Sequence, residues 1–199
     1  MRERRKIMER GIWLLRHGDI VRGGQRRFVG QRDLPLSGVG HRQYARLAET
    51  MAEKLAKTPP KAFFCSDLSR GIECADILRR AFRPAGGKMP VIADRGLREI
   101  SLGAWEGLTK EEVEKRYPGA LDERMADLAG YAPAGGESFE MVQRRAIMAL
   151  ARFRMNYPDG ILVVVGHAGL NRADYMALPL RDVLRIPQEY ACSVFLENR

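Results

Sequence analysis

The sequence predicts an α/β fold of three layers, with a mostly parallel mixed sheet held between two layers of helices. Three observations carry this. Short apolar segments of strand character alternate with longer segments whose apolar residues recur at the helical period, the pattern of a parallel-rich sheet covered on both faces. Two of the strands, Ile12-Trp13-Leu14-Leu15 and Ile161 to Val165, run into Arg16-His17-Gly18 and Gly166-His167-Ala168-Gly169, so each carries an imidazole at its carboxyl end. The chain has 199 residues, 45% hydrophobic and 30% charged, enough for one well-cored domain and short for two.

Taken in order, Ile12 to Leu15 is a buried strand, followed by residues 19 to 36, rich in Gly, Arg and Gln and without helical period. A loop of that length beside strand ends is a functional candidate. Ser37 suits the N-cap of a helix reaching about Lys57, with Tyr44, Leu47, Ala48, Met51 and Leu55 on the inward stripe and Thr58-Pro59-Pro60 as the stop. Ala62 to Cys65 reads as a second strand, and Ser66 or Asp67 as the cap of a helix to about Phe82, broken by Pro84-Ala85-Gly86-Gly87. Val91-Ile92-Ala93 is a short third strand. Residues 103 to 135 are irregular or short-helical, with a capping box at Thr109-x-x-Glu112 and a stop at Tyr117-Pro118-Gly119; this segment is expected to form a cap over the site. Ser138 caps a long helix whose Phe139, Val142, Ala146, Ala149, Leu150 and Phe153 keep the period as far as Tyr157-Pro158-Asp159-Gly160. The strand Ile161 to Val165, a helix after His167 and a strand from about Cys192 to Leu196 complete the domain, which is expected to span 11–199 behind a flexible basic arm, 1–10.

The net charge of +9 raises a nucleic-acid reading, because Lys and Arg neutralise phosphates whatever the base sequence. Its distribution argues against one. The first ten residues hold five basic and two acidic side chains, hence +3 of the total, and no helix-turn-helix, zinc-finger or RNA-binding signature follows. No apolar run is long enough for a membrane span or signal peptide, so a cytoplasmic protein with no membrane or nucleic-acid partner is expected. The cysteines, Cys65, Cys74 and Cys192, form no C-x-x-C pair and read as reduced core or near-core thiols.

In parallel-rich open sheets, ligands bind outside the carboxyl ends of the strands, so His17 and His167 are expected to face one pocket. Arg16 adds a cation with five donors, and Gly18 lets the backbone turn close to a ligand. Ser66-Asp67-Leu68-Ser69-Arg70 brings a second arginine to the same sheet edge. Leu97-Arg98-Glu99 brings a carboxyl group just ahead of Gly103-Ala104-Trp105-Glu106-Gly107, where Glu106, in its glycine-bounded turn, reads as structural. Gly166-His167-Ala168-Gly169 adds backbone N–H groups at a helix start, where the dipole favours an anion. His41 reads as an exposed helix residue, and Arg26, Arg27 and Phe28 as either leaving-group contacts or a solvated basic loop.

Together these segments resemble the histidine phosphatase superfamily, also called the phosphoglycerate mutase-like family. The resemblance covers roughly residues 11 to 196: Leu-Leu-Arg-His-Gly, Asp33-Leu34-Pro35-Leu36-Ser37 with Gly40 beyond it, Ser-Asp-Leu-x-Arg, Leu-x-Glu with Gly-x-Trp-Glu-Gly, Gly135-Gly136-Glu137-Ser138, and strand-Gly-His-x-Gly, in family order. It implies a phosphoglycerate mutase-like fold. It further implies that His17 attacks phosphorus and becomes a phosphohistidine, that Arg16, Arg70 and His167 surround the phosphoryl oxygens, and that Glu99 protonates the leaving alcohol and then takes a proton from water. No metal and no cofactor are expected, since the two guanidiniums supply the charge that phosphoryl transfer requires.

Asp19 stands where the family usually has Glu or Thr, and Arg22-Gly23-Gly24 replaces a frequent asparagine, so the leaving-group side of the pocket is expected to differ. The final strand lies close to Arg199, without the closing tail of the mutases, so water is expected to reach the phosphohistidine and the reaction to be hydrolysis of a small phosphorylated metabolite. Phe28-Val29-Gly30-Gln31-Arg32-Asp33-Leu34-Pro35-Leu36 is most similar to the α-ribazole-5'-phosphate phosphatases of cobalamin synthesis. The alternatives are a cofactor-dependent phosphoglycerate mutase, a sugar-bisphosphate phosphatase, and a protein that binds a phosphorylated ligand without catalysis. A homodimer is compatible with the sequence.

Overall fold

A computed structural model of the chain describes residues 11–82, 89–173 and 189–197. The basic arm 1–10 and the Pro84-Ala85-Gly86-Gly87 break lie outside the described residues. The strands are β1 (Gly11–Arg16), β2 (Ala62–Cys65), β3 (Val91–Ala93), β4 (Ile161–Gly166) and β5 (Ser193–Glu197), assembled in the order β3-β2-β4-β1-β5. All pairings are parallel except β1 with β5.

The period-two alternation of the strands divides the core between the two faces of the sheet. Trp13, Leu15, Phe63, Cys65, Val163 and Val165 meet α1 (Gly38–Lys54) and α2 (Ser69–Ala81) through Tyr44, Ala48, Met51, Cys74 and Leu78. On the opposite face, Ile12, Leu14, Phe64, Leu162 and Val164 meet α5 (Phe139–Asn156) through Val142, Ala146, Ala149 and Phe153, with Phe64 stacked on Phe153 at 3.9 Å between ring centroids. The result is the expected three-layer α/β/α fold with a mostly parallel sheet. Cys65 and Cys74 are buried, Cys192 is half-buried, and all three thiols are free.

Two expected boundaries move. The first helix ends at Lys54 rather than Lys57, with the Leu55 N–H closing on Met51. The second is capped by neither Ser66 nor Asp67, because tertiary partners take both side chains: the Ser66 hydroxyl meets His167, and Asp67 pairs with Arg98 at 2.6 Å. Asp33 of the long loop supplies the missing acceptor, taking hydrogen bonds from the backbone N–H and hydroxyl of Ser69, both at 2.8 Å.

Between β3 and α5 the chain forms two 3-10 turns, Arg95–Leu97 and Gly103–Trp105, then α3 (Lys110–Arg116) and α4 (Ala120–Ala126). The Thr109–Glu112 capping box is complete, with each side chain bonded to the other residue's backbone N–H. Trp105, Val113 and Ala120 make a small separate core that packs against Phe28 and Tyr131. Among the described residues no helix is long and apolar enough to cross a membrane.

Candidate active site

Register alone brings the two histidines together. Arg16 of β1 pairs with Gly166 of β4, so the next residue of each strand, His17 and His167, emerges at the same height, and the His17 N–H donates to the Gly166 carbonyl at 3.2 Å. Their ring centroids are 5.0 Å apart. The loop after His17 is held down by helix α1, where a β-carbon on Gly40 would sit 2.0 Å from the Asp19 carbonyl; only glycine permits this approach.

His17 is 4% exposed, and its Nδ1 donates to the Gly18 carbonyl at 2.7 Å. Because a carbonyl only accepts, the proton sits on Nδ1 and Nε2 keeps its lone pair. Burial, reinforced by the Arg70 charge, pushes the imidazole down to a pKa of about 3, so the ring is neutral at physiological pH.

Arg70 is 1% exposed and is anchored rather than free to swing. Its two Nη atoms donate to the carbonyls of Arg32 (2.8 Å) and Gly30 (2.9 Å), and Nε donates to Nδ1 of His167 at 3.3 Å. Three of its five N–H groups are thus engaged, and one on each Nη remains to bind oxygen. Since Nδ1 of His167 accepts, its Nε2 carries the proton and donates to the Ser66 hydroxyl at 2.7 Å. Burial holds His167 well below the usual histidine pKa.

Glu99 is gripped by backbone. Its Oε1 accepts from the N–H groups of Ile100 (2.9 Å) and Leu170 (3.1 Å), and Oε2 from Gly169 at 3.2 Å, at the start of α6 (Ala168–Ala173). A β-carbon on Gly169 would lie 2.5 Å from this carboxylate, so the glycine after His167-Ala168 makes room for the acid. The Glu99 carbonyl in turn accepts from Gln31 (3.0 Å) and Arg145 (2.9 Å). Arg145 also bonds the carbonyls of Gly96 and Arg98 and pairs with Glu137 at 2.7 Å, tying α5 to the segment that carries Glu99.

The Arg16 N–H donates to the Cys192 carbonyl at 3.0 Å, and its guanidinium lies 4.2 Å from the centroid of the Tyr190 ring. That ring also sits 5.6 Å from His17, and its hydroxyl accepts from Arg22. Ala191, at φ +53, turns the chain so that Tyr190 faces the site just before β5 begins.

A cavity of about 210 Å³ is lined by Arg16, His17, Arg70 and Glu99, by Ile20, Arg22 and Arg27 to Gly30 of the long loop, and by Ile100 and Leu102. His167 packs behind this wall through Arg70 and His17. Of the five residues expected at the site, Arg16, His17, Arg70 and Glu99 line the cavity, while His167, fully buried with both ring nitrogens taken by Ser66 and Arg70, stands behind it rather than facing the phosphoryl oxygens. Ser66, Tyr190, Gln31, Arg145 and Glu137 are supporting residues that motif reading did not single out for these contacts. Asp19 faces away and accepts from the Ser37 hydroxyl at 2.6 Å. Glu106 accepts from the N–H groups of Gln31 (2.9 Å) and Leu102 (3.0 Å), consistent with a structural place in its turn. His41 is half-exposed and lies 3.0 Å from Glu73.

Two neutral buried imidazoles make stability depend on pH. Below the ordinary histidine value near 6.5, the unfolded chain takes up a proton at His17 that the folded protein refuses until about pH 3. Stability therefore falls as pH drops through that window, by roughly 1.4 kcal/mol per pH unit for one such group, and His167 adds in the same direction. The urea midpoint is expected to fall between pH 7 and pH 5, above the range where the arginine-paired carboxylates titrate; a flat profile would contradict the neutral assignment.

The histidine phosphatase superfamily (branch 1) profile matches residues 12–198. The glucosyl-3-phosphoglycerate phosphatase of Mycolicibacterium vanbaalenii is 36% identical over 187 residues, 89% of this chain and 75% of that protein. The native structure of a mycobacterial glucosyl-3-phosphoglycerate phosphatase superimposes with a TM-score of 0.79 at 29% identity, covering 96% of this chain and 91% of the other. The α-ribazole phosphatase of Shigella flexneri shares the fold at a TM-score of 0.78 and 20% identity, over 96% and 91% of the two chains. With its histidines, arginines and carboxylate set around one cavity at the strand ends, the chain belongs to the histidine phosphatase superfamily, branch 1, and is a phosphatase.

Proposed function

We propose that the protein hydrolyses phosphomonoesters of small cytoplasmic metabolites through a phosphohistidine on His17, without a metal. The observation that carries this is the neutral, buried imidazole with its unprotonated Nε2, in a cavity it shares with Arg16, Arg70 and Glu99. The Nε2 lone pair forms the P–N bond as the ester P–O bond breaks. Glu99, carrying a proton, gives it to the departing alkoxide. Water then attacks phosphorus, Glu99 takes its proton, and the P–N bond breaks to release phosphate and restore His17. Splitting one displacement into two lowers each barrier. Arg16 and the two remaining N–H groups of Arg70 meet the equatorial oxygens, and His167, from behind the wall, holds Arg70 in place. Fixed cations of this kind supply most of the catalysis in phosphoryl transfer.

The test is a panel of phosphomonoesters assayed in the presence of EDTA, with acid-quenched enzyme analysed for a phosphorylated peptide. It includes α-ribazole 5'-phosphate and glucosyl-3-phosphoglycerate, the substrates in the names of the related proteins. Phosphate release with label on the peptide containing His17 is expected. Isomerisation of 3- to 2-phosphoglycerate without net release would make the protein a mutase, and binding without turnover or label would make it a phospho-ligand binder.

A further inference from the structure

We propose that Gln31 is a positioning residue, which sets the proton-handling carboxyl group of Glu99 in register with the phosphate-binding guanidinium of Arg70. This rests on the phosphatase reading above, which gives Glu99 the proton of the leaving group. Gly30 lines the catalytic cavity, and half-buried Gln31 stands one residue behind it.

Arg70 and Glu99 come to the cavity from separate parts of the chain, one from the first turn of α2 and the other from the segment after β3. Residues 30–32 of the long loop touch both. The carbonyls of Gly30 and Arg32, on either side of Gln31, take the Arg70 Nη donors at 2.9 and 2.8 Å. The side chain between them reaches the acid: Gln31 Nε2 donates to the Glu99 carbonyl at 3.0 Å and to the Glu137 carboxylate at 3.4 Å, while Oε1 accepts from Arg98 at 3.4 Å. Two acceptors on one side and a donor on the other leave a single amide orientation that satisfies all three contacts. The backbone around one residue thus holds the cation, and its side chain holds the acid.

The loop is anchored well enough to act as a reference. The Gln31 N–H donates to Glu106 at 2.9 Å, and the same carboxylate accepts from Leu102, three residues past Glu99, at 3.0 Å. Gly30, at φ +52, lies so close that a β-carbon would sit 2.1 Å from Glu106 Oε1. On the far side, Arg145 uses all five of its N–H groups, two on Glu137 and one each on the carbonyls of Gly96, Arg98 and Glu99. Glu137 also accepts from the Ser101 N–H at 2.8 Å. The backbone flanking Glu99 is therefore held, and the Gln31 amide joins it at Glu99 itself to the loop that holds Arg70. Removing the amide leaves both carbonyls on Arg70 while the acid loses its link to the cation. Small displacements of a reacting group are costly in rate.

Gln31→Met keeps the length of the side chain and removes the donor. Its kcat/KM on glycerol 3-phosphate is expected to fall about tenfold through misplacement of the acid. On p-nitrophenyl phosphate, whose leaving group needs no proton, kcat/KM should fall less than threefold. The inhibition constant of inorganic phosphate, which reads Arg16 and Arg70, should also change less than threefold. A merely structural role would loosen the loop under Arg70 as well, lowering both rates and the phosphate affinity together. In a Glu99→Gln background, Gln31→Met should cost less than a further twofold on glycerol 3-phosphate, because a residue that acts through the acid has nothing left to position. Gln31→Glu keeps the acceptor for Arg98 without the donor; it should show the same selective loss, and it decides the matter if the methionine variant does not fold. No loss, equal losses on both esters, or a full tenfold further loss without the acid would overturn the proposal while wild-type turnover upholds the phosphatase reading. Failure of both variants to fold would make Gln31 structural and overturn it too. A wild-type protein that hydrolyses neither ester fails that reading, and the proposal with it.

Discussion

His17→Asn is expected to reduce turnover of every phosphomonoester by at least about 10⁴-fold and to abolish the phosphorylated peptide, the scale of loss seen when a covalent nucleophile is removed. The asparagine amide can still donate to the Gly18 carbonyl, the hydrogen bond that the His17 Nδ1–H makes at 2.7 Å, so the turn should persist. What disappears is the lone pair on Nε2. The same variant removes a buried group that resists protonation, so its loss of stability between pH 7 and pH 5 should be shallower than the wild type's. That pairing separates a chemical defect from a folding defect: turnover is lost while acid tolerance improves. Residual activity within tenfold of wild type, with label still on the protein, would place the nucleophile elsewhere.

Glu99→Gln should cost about 10²- to 10⁴-fold on alkyl phosphates such as glycerol 3-phosphate, the range of a positioned general acid. On p-nitrophenyl phosphate the loss in the phosphorylation step, read as kcat/KM or as the pre-steady-state burst of nitrophenolate, should be far smaller, because nitrophenolate departs without needing a proton. The later attack of water is slowed alike for both esters. The substitution nearly preserves shape. Its amide oxygen can accept from Ile100 and Leu170 as Oε1 does, while its NH₂ faces the Gly169 N–H, a donor against a donor, where Oε2 now accepts at 3.2 Å. Such a mismatch costs about 1–3 kcal/mol and should show as a modest drop in melting temperature. The ratio of the two rate losses therefore reports proton transfer rather than stability. Equal losses on both esters would assign Glu99 to positioning alone.

The strands and long helices were legible because a buried element must keep its period: Leu14 and Val164 alternate onto one face of the sheet, and Val142, Ala146, Ala149 and Phe153 line one side of a helix. The neighbourhood of His17 and His167 was legible for a similar reason, since both follow strands and the ends of parallel strands share an edge. Arg70 announced itself through the Ser-Asp-Leu-x-Arg turn. Its near-complete burial did not, because that depends on the carbonyls of Gly30 and Arg32 reaching it from a loop with no periodicity. The capping of α2 misled for the same reason. Ser66 and Asp67 have the right chemistry for a local cap, but His167 and Arg98 compete for them from distant parts of the chain.

By itself, then, the order of residues determined the layers, the strand-end histidines and the kinds of groups that would meet there, because these follow from periodicity and from short-range turn chemistry. Only the tertiary structure decided which nitrogen of His17 keeps its lone pair, that Glu99 rests on the backbone of Gly169 and Leu170, and that Tyr190 lies under Arg16. The His17 tautomer rests on a bond to the neighbouring Gly18 carbonyl, in a turn that helix α1 holds down, and the others are contacts between segments far apart in the chain, set by β-strand register and loop anchoring. Local sequence patterns carry no information at that range.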